Sequence, residues 1–265
     1  MTRQMIDVFL SELTPIGLSM AVLASVLLIG FRIRKPAIEF AQPRREAMIA
    51  VVTIAILTAM VTGLLYVLQS GSAVPTEPSL TSYNLGQVIS QLVFGLIVLT
   101  PVFIALRLRR HGWGSVGFRR AGLAAALSIS LLSGLVVCVG LWGLSVWSGR
   151  LTAPQLFLSS SSVYALLNMG VVGFTEEVSF RGYLQTRMVD AWGIPTGWAF
   201  ASIWMALAHF PTLLWGEGLD VGAALAGCLA IIPLSMLMGF VMLRCQNVVG
   251  PIVLHTLTDW LQVFF

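Results

Sequence analysis

The chain has 265 residues, of which 57% are hydrophobic and only 10% charged, with a mean hydropathy of +0.91. Soluble domains carry about 25% charged residues, so a soluble globular fold is excluded and an all-α, polytopic membrane protein is expected. The net charge of +4 does not point to nucleic acid, because the basic residues fall in short loops between apolar runs, where they orient the chain in a bilayer.

A spanning helix needs about 20 apolar residues, and eight segments meet that criterion: 14–31, 47–69, 86–107, 121–147, 160–190, 196–214, 221–243 and 248–265. The first reads as a retained helix rather than a signal peptide, since the basic cluster Arg32, Arg34 and Lys35 follows it. Alternating the segments across a bilayer leaves only Arg3 and Arg150, of 15 Lys and Arg, on one side. The positive-inside rule then predicts cytoplasmic basic loops and external termini. The connection 70–84 has no Lys or Arg and suits translocation, whereas RLRRHGWGSVGFRR (107–120) suits an anionic inner surface. Cys138, Cys228 and Cys245 form no CxxC, which argues against a disulfide framework or a thiolate metal cluster. No internal repeat is visible; one membrane domain is expected, with N-terminal helices over 1–120 and a core over 121–265.

The fifth segment is unusual. Helical from Ser160 to Asp190 it would be about 46 Å long, so its polar second half is expected to emerge, with Arg187 and Asp190 outside the membrane and Tyr183 and Gln185 interfacial. Asn168 is read as helix-packing glue, and Trp192, Trp198, Trp215 and Trp260 as interfacial belts.

Ionisable groups inside hydrocarbon are costly and mark functional sites. Those inside the spans are Glu176, Glu177, His209, His255 and Asp259, which fall on the fifth, sixth and eighth segments, with Arg181 one turn beyond Glu177. Counting from the turn near Trp192 and Pro195 places Glu176 and His209 at similar depth. His255, about eight residues from the turn at Asn247, joins them only if the helices tilt or the fifth and sixth protrude. A carboxylate beside an imidazole suits general-base activation of water, and a second imidazole suits stabilisation of an oxyanion. Glu176, His209 and His255 would equally make a two-His, one-carboxylate set for a divalent metal such as zinc, although HExxH is absent. The i,i+4 pair Glu177–Arg181 is open to a purely structural reading, and the whole group to proton or ion relay in a transporter.

Glu176-Glu177-x-x-x-Arg181, then Ala206-Leu207-Ala208-His209, then His255-x-x-x-Asp259 resemble the three motifs of the CPBP (CAAX protease and bacteriocin-processing, Abi) intramembrane protease family. The resemblance covers 160–265 and extends to the N-terminal half only through Gly114–Arg120. It implies a bacterial cytoplasmic-membrane endopeptidase acting on a membrane-associated protein or peptide, with the lipid bilayer as its other partner. On that reading Glu176 and His209 activate water, His255 and Asp259 bind the substrate carbonyl, and Glu177 and Arg181 complete the first motif. Met205 stands where the family usually has Phe, and Asp259 replaces the commoner Asn. An ionised Asp cannot donate to an oxyanion, so Asp259 is read as orienting His255 or as protonated. A non-catalytic immunity scaffold of the same fold is the remaining alternative.

Overall fold

Apolar segments in lipid must satisfy their own backbone groups, and a helix does so within one segment. In the computed structural model, which describes residues 21–30, 33, 37–71, 83–147 and 159–262, the elements are residues 21–29 (α1), Pro43–Gly71 (α2), Leu85–Leu108 (α3), Leu123–Trp147 (α4), Ser160–Glu177 (α5), Thr186–Trp192 (α6), Ile194–Ala208 (α7), Val221–Cys245 (α8) and Val249–Gln262 (α9). No strand occurs among the described residues. Residues 14–20 of the first expected span, together with Arg3, Arg32, Arg34, Lys35, Arg150 and most of the 70–84 connection, lie outside them.

Among the described residues, five helices are long and apolar enough to cross a membrane: Pro43–Val67, Leu85–Leu108, Leu123–Gly140, Ile194–Gly216 and Val221–Cys245. Their outer faces carry exposed Leu96, Leu135 and Leu229, which lipid rather than water would cover. The other two described segments expected to span, α5 and α9, are the ones that carry the acids. They tolerate that polarity because they are inside the bundle: α9 packs between α4 and α5, and α5 packs between α3 and α9.

A π-helical stretch, Val178–Gln185, joins α5 to α6, so 160–192 form one continuous rod. The rod starts at a reciprocal cap, in which Ser159 Oγ accepts from the Ser162 amide (3.1 Å) and Ser162 Oγ from the Ser159 amide (2.7 Å). It ends at Gly193, whose φ of 85° turns the chain into α7.

The second half of this rod is enclosed by protein, so Tyr183 and Gln185 are not interfacial as expected. Tyr183, Gln185, Arg181 and Arg187 are all buried, Arg181 and Arg187 fully so. They pack against α2, α7, α8 and the short 3₁₀ turn Trp113–Val116 instead of meeting the interface. Trp198 and Trp260 likewise act inside the bundle, donating to the carbonyls of Met236 (2.9 Å) and Ser162 (2.8 Å). Asn168 does tie helices together, through Nδ2 to the Gln87 carbonyl at 3.3 Å.

The same packing resolves the depth of His255. A β-carbon at Gly182 would lie 2.6 Å from the Val116 carbonyl and 3.4 Å from Val248 Cγ2, so position 182 is level with Val248 at the start of α9. Glu176 is six residues from 182 and His255 seven from 248, which at 1.5 Å per residue brings them to nearly the same height. The α6–α7 hairpin therefore projects past the α8–α9 turn, the condition under which the two residues can meet. Gly182→Ala would drive its methyl into the Val116 carbonyl. We expect a loss of about 1–3 kcal/mol, seen as a lower Tm of the purified protein.

Candidate active site

Glu176 ends α5 in a cavity of about 230 Å³ lined mostly by apolar side chains of α2, α3 and α5, including Leu57, Val61, Phe94 and Val172. His209, the C-cap of α7, stands on the opposite wall. Its Nδ1–H donates to the Met205 carbonyl at 2.9 Å, which fixes the tautomer and leaves the Nε2 lone pair facing Glu176. Glu176 Oε2 is 3.7 Å from His209 Nε2 and 4.0 Å from His255 Nε2. That oxygen is buried and has no hydrogen-bond partner.

Glu177 points the other way and is fully buried. Its Oε1 accepts from His255 Nδ1 at 2.8 Å and from Arg181 Nη1 at 3.1 Å. Asp259, one turn along α9, puts Oδ2 3.1 Å from His255 Nε2. Both ring nitrogens of His255 thus face carboxylates, and the imidazolium form satisfies both contacts. Arg181 is held in turn by the carbonyl and hydroxyl of Ser235 on α8, at 2.6 and 2.8 Å, and touches the sulfur of Met205.

The structure therefore gathers all six sequence-derived residues: Glu176, Glu177, Arg181, His209, His255 and Asp259. Sequence reasoning missed Ser202, Met205 and Ser235, which support them. Small polar residues in an apolar helix give no signal of which neighbour they face, and Met205 had drawn attention only as a replacement for Phe.

As arranged, the residues do not fit a metal. Among the described residues no group of three or more His, Cys, Asp or Glu is placed to hold an ion. His255 Nε2, which would have to ligate alongside Glu176 and His209, lies nearer Asp259 than Glu176.

A second charged cluster, also missed, lies at the other end of the rod. Glu46, almost fully buried at the start of α2, accepts from Arg109 Nε and Nη2 at 2.8 and 2.7 Å. It also lies 3.7 Å from His111 and 3.9 Å from Arg187. The Arg187 guanidinium sits over the rings of Tyr183 (4.0 Å) and Phe40 (4.7 Å). Arg109 and His111 at the end of α3 and Arg187 on α6 thereby share one carboxylate.

Burial, the largest influence, lowers the His111 pKa; Arg187 and Arg109 add to the lowering, and Glu46 opposes it. The folded protein then binds fewer protons at this site than the unfolded chain does. The contribution to stability is present above the ordinary value of 6.5 and is lost as pH falls through the lowered folded value. We expect His111→Gln to flatten the fall in Tm between about pH 7 and pH 5.

Comparison with known proteins gives one family match. Residues 158–261 match the family described as type II CAAX prenyl endopeptidase Rce1-like. That span takes in Glu176, Glu177, Arg181, His209, His255 and Asp259, though not the α2 and α3 side chains that line the cavity. No curated protein and no solved structure matches the chain. Five apolar helices among the described residues and the similarity to a membrane-protease family support an integral membrane protein, and that similarity supports intramembrane endopeptidase activity in general. Over residues 158–261 the chain is thus similar to the type II CAAX prenyl endopeptidase Rce1-like family.

Proposed function

We propose that the protein hydrolyses a peptide bond of a membrane-associated substrate with a water activated by Glu176 and His209. The observation that carries this reading is the orphaned Glu176 Oε2, which faces a lone-pair nitrogen at 3.7 Å on the wall of an apolar cavity. The gap is too long for a direct hydrogen bond and suits one bridging water. Such a water would donate one hydrogen to each acceptor and aim an oxygen lone pair into the cavity.

When a peptide carbonyl enters, the water oxygen bonds to its carbon while Glu176 takes the proton. The carbonyl oxygen becomes an oxyanion, which the His255 imidazolium faces. Collapse breaks the C–N bond as Glu176 returns the proton to the departing nitrogen, giving a carboxylic acid and an amine. Glu177 and Asp259 hold the imidazolium, and Arg181 keeps Glu177 charged and in place.

The apolar lining favours substrates that bring a lipid-like group to the scissile bond, in keeping with the prenyl substrates in the family's name. The test is cleavage of an internally quenched farnesylated peptide with a CAAX C-terminus by the protein in proteoliposomes, with products read by mass spectrometry. Release of the three C-terminal residues is expected. Failure to cleave this peptide or any unprenylated membrane-anchored peptide would overturn the reading.

A further inference from the structure

Ser235 has one hydroxyl and three partners. Its Oγ–H donates to the Ser202 carbonyl on α7 at 2.9 Å, its oxygen accepts from Arg181 Nη2 at 2.8 Å, and the Met205 sulfur lies 3.5 Å away. Ser202 reciprocates, its hydroxyl reaching the Ser235 carbonyl at 3.4 Å, and that same carbonyl takes a second bond from Arg181 at 2.6 Å. Ser235, Ser202 and Arg181 are all buried at 1% exposure or less, so no solvent can substitute for a lost partner.

This hydroxyl links the two halves of the site. Through Arg181 it reaches Glu177 and hence His255 Nδ1. Through Ser202 and Met205 it reaches α7, where the Met205 carbonyl orients His209. The chemistry proposed above needs Glu176 and His209 held within about 0.5 Å of the positions that bond one water, with His255 beside them, yet these groups come from three helices. A single buried hydroxyl on a fourth helix, α8, sets the spacing of two of them. Gly239, one turn further along α8, lets the helices close: a β-carbon there would lie 2.7 Å from both Gln185 Oε1 and Trp198 Cδ1.

We infer that Ser235 is a positioning residue, which holds α7 and the Arg181 segment in register so that His209 and His255 face the same point. The inference rests on the proposed hydrolysis for its kinetic consequence, but its structural content can be read without any substrate. The chain contains three histidines, His111, His209 and His255, and His111 lies in the distant Glu46 cluster.

The experiment is ¹⁵N NMR of the full-length, histidine-labelled protein in detergent, comparing wild type, Ser235→Ala and Ser133→Ala. Ser133 is another fully buried serine, with no hydrogen-bond partner for its hydroxyl. In Ser235→Ala the imidazole signals of His209 and His255 should shift or broaden while that of His111 stays in place; Ser133→Ala should move none of them. Turnover of the farnesylated peptide should fall about tenfold at unchanged KM, within the roughly hundredfold that a 1 Å misplacement costs.

Unmoved His209 and His255 signals, equal movement of all three, or a rise in KM at unchanged kcat would each overturn the inference. Should Ser235→Ala fail to fold, Ser202→Ala, which removes only the 3.4 Å bond, gives the same readout with smaller shifts. If Glu176→Gln still cleaves, the hydrolysis proposal falls while the NMR result still decides the role of Ser235.

Discussion

Glu176→Gln should reduce turnover of the peptide by about 10²–10⁴-fold while leaving the folding stability within about 0.5 kcal/mol of wild type. The substitution keeps shape and removes only the ability to take up a proton. Stability should barely change because Glu176 Oε2 has no hydrogen bond to lose and its side chain is partly open to the cavity. His209→Gln should show a loss of similar order, since its Nε2 shares the same water. The measurement is steady-state cleavage in proteoliposomes beside thermal melts of the same preparations. A Glu176→Gln protein that cleaves within threefold of wild type would remove Glu176 from the chemistry.

Arg181→Met should be the most destabilising single change in the site. It leaves Glu177 charged and fully buried beside only one partner, His255, and breaking one side of a buried ion pair costs about 3–5 kcal/mol. A total stability of about 5–15 kcal/mol makes that a large share, so little folded protein should accumulate in the membrane. Adding Glu177→Gln removes the stranded charge, and the double variant should regain most of the lost Tm. It should remain inactive, because His255 then lacks the carboxylate that holds Nδ1. Recovery of both stability and turnover would show that the pair is structural only; no recovery of stability would show that Arg181 acts chiefly through Ser235.

Much of this was legible in the sequence because a charge in an apolar run is costly and therefore conspicuous. Glu176, Glu177, His209, His255 and Asp259 stood out on that ground alone, and all meet in one place. What composition could not show was the inside of the bundle. Tyr183 and Gln185 look interfacial and Arg187 solvated in a linear reading, yet the rod on which they lie is jacketed by α2, α7 and α8. The meeting of His255 with Glu176 depends on a projecting hairpin, and that depends on the close approach at Gly182, a glycine that looks like any other in a string of letters. Glu46 was missed for the same reason, since nothing in its spacing says that Arg109 and His111 from the end of α3 and Arg187 from α6 converge on it. Ser202 and Ser235 gain meaning only once the guanidinium between them is placed.

The central claim is that one carboxylate and one imidazole act on a single water. A double-mutant cycle of Glu176→Gln, His209→Gln and the combined variant, followed by peptide turnover, tests it most directly. Groups that work as a unit are strongly non-additive, so the double variant should be about as slow as either single one. Losses that multiply, or a single variant near the wild-type rate, would contradict a shared water.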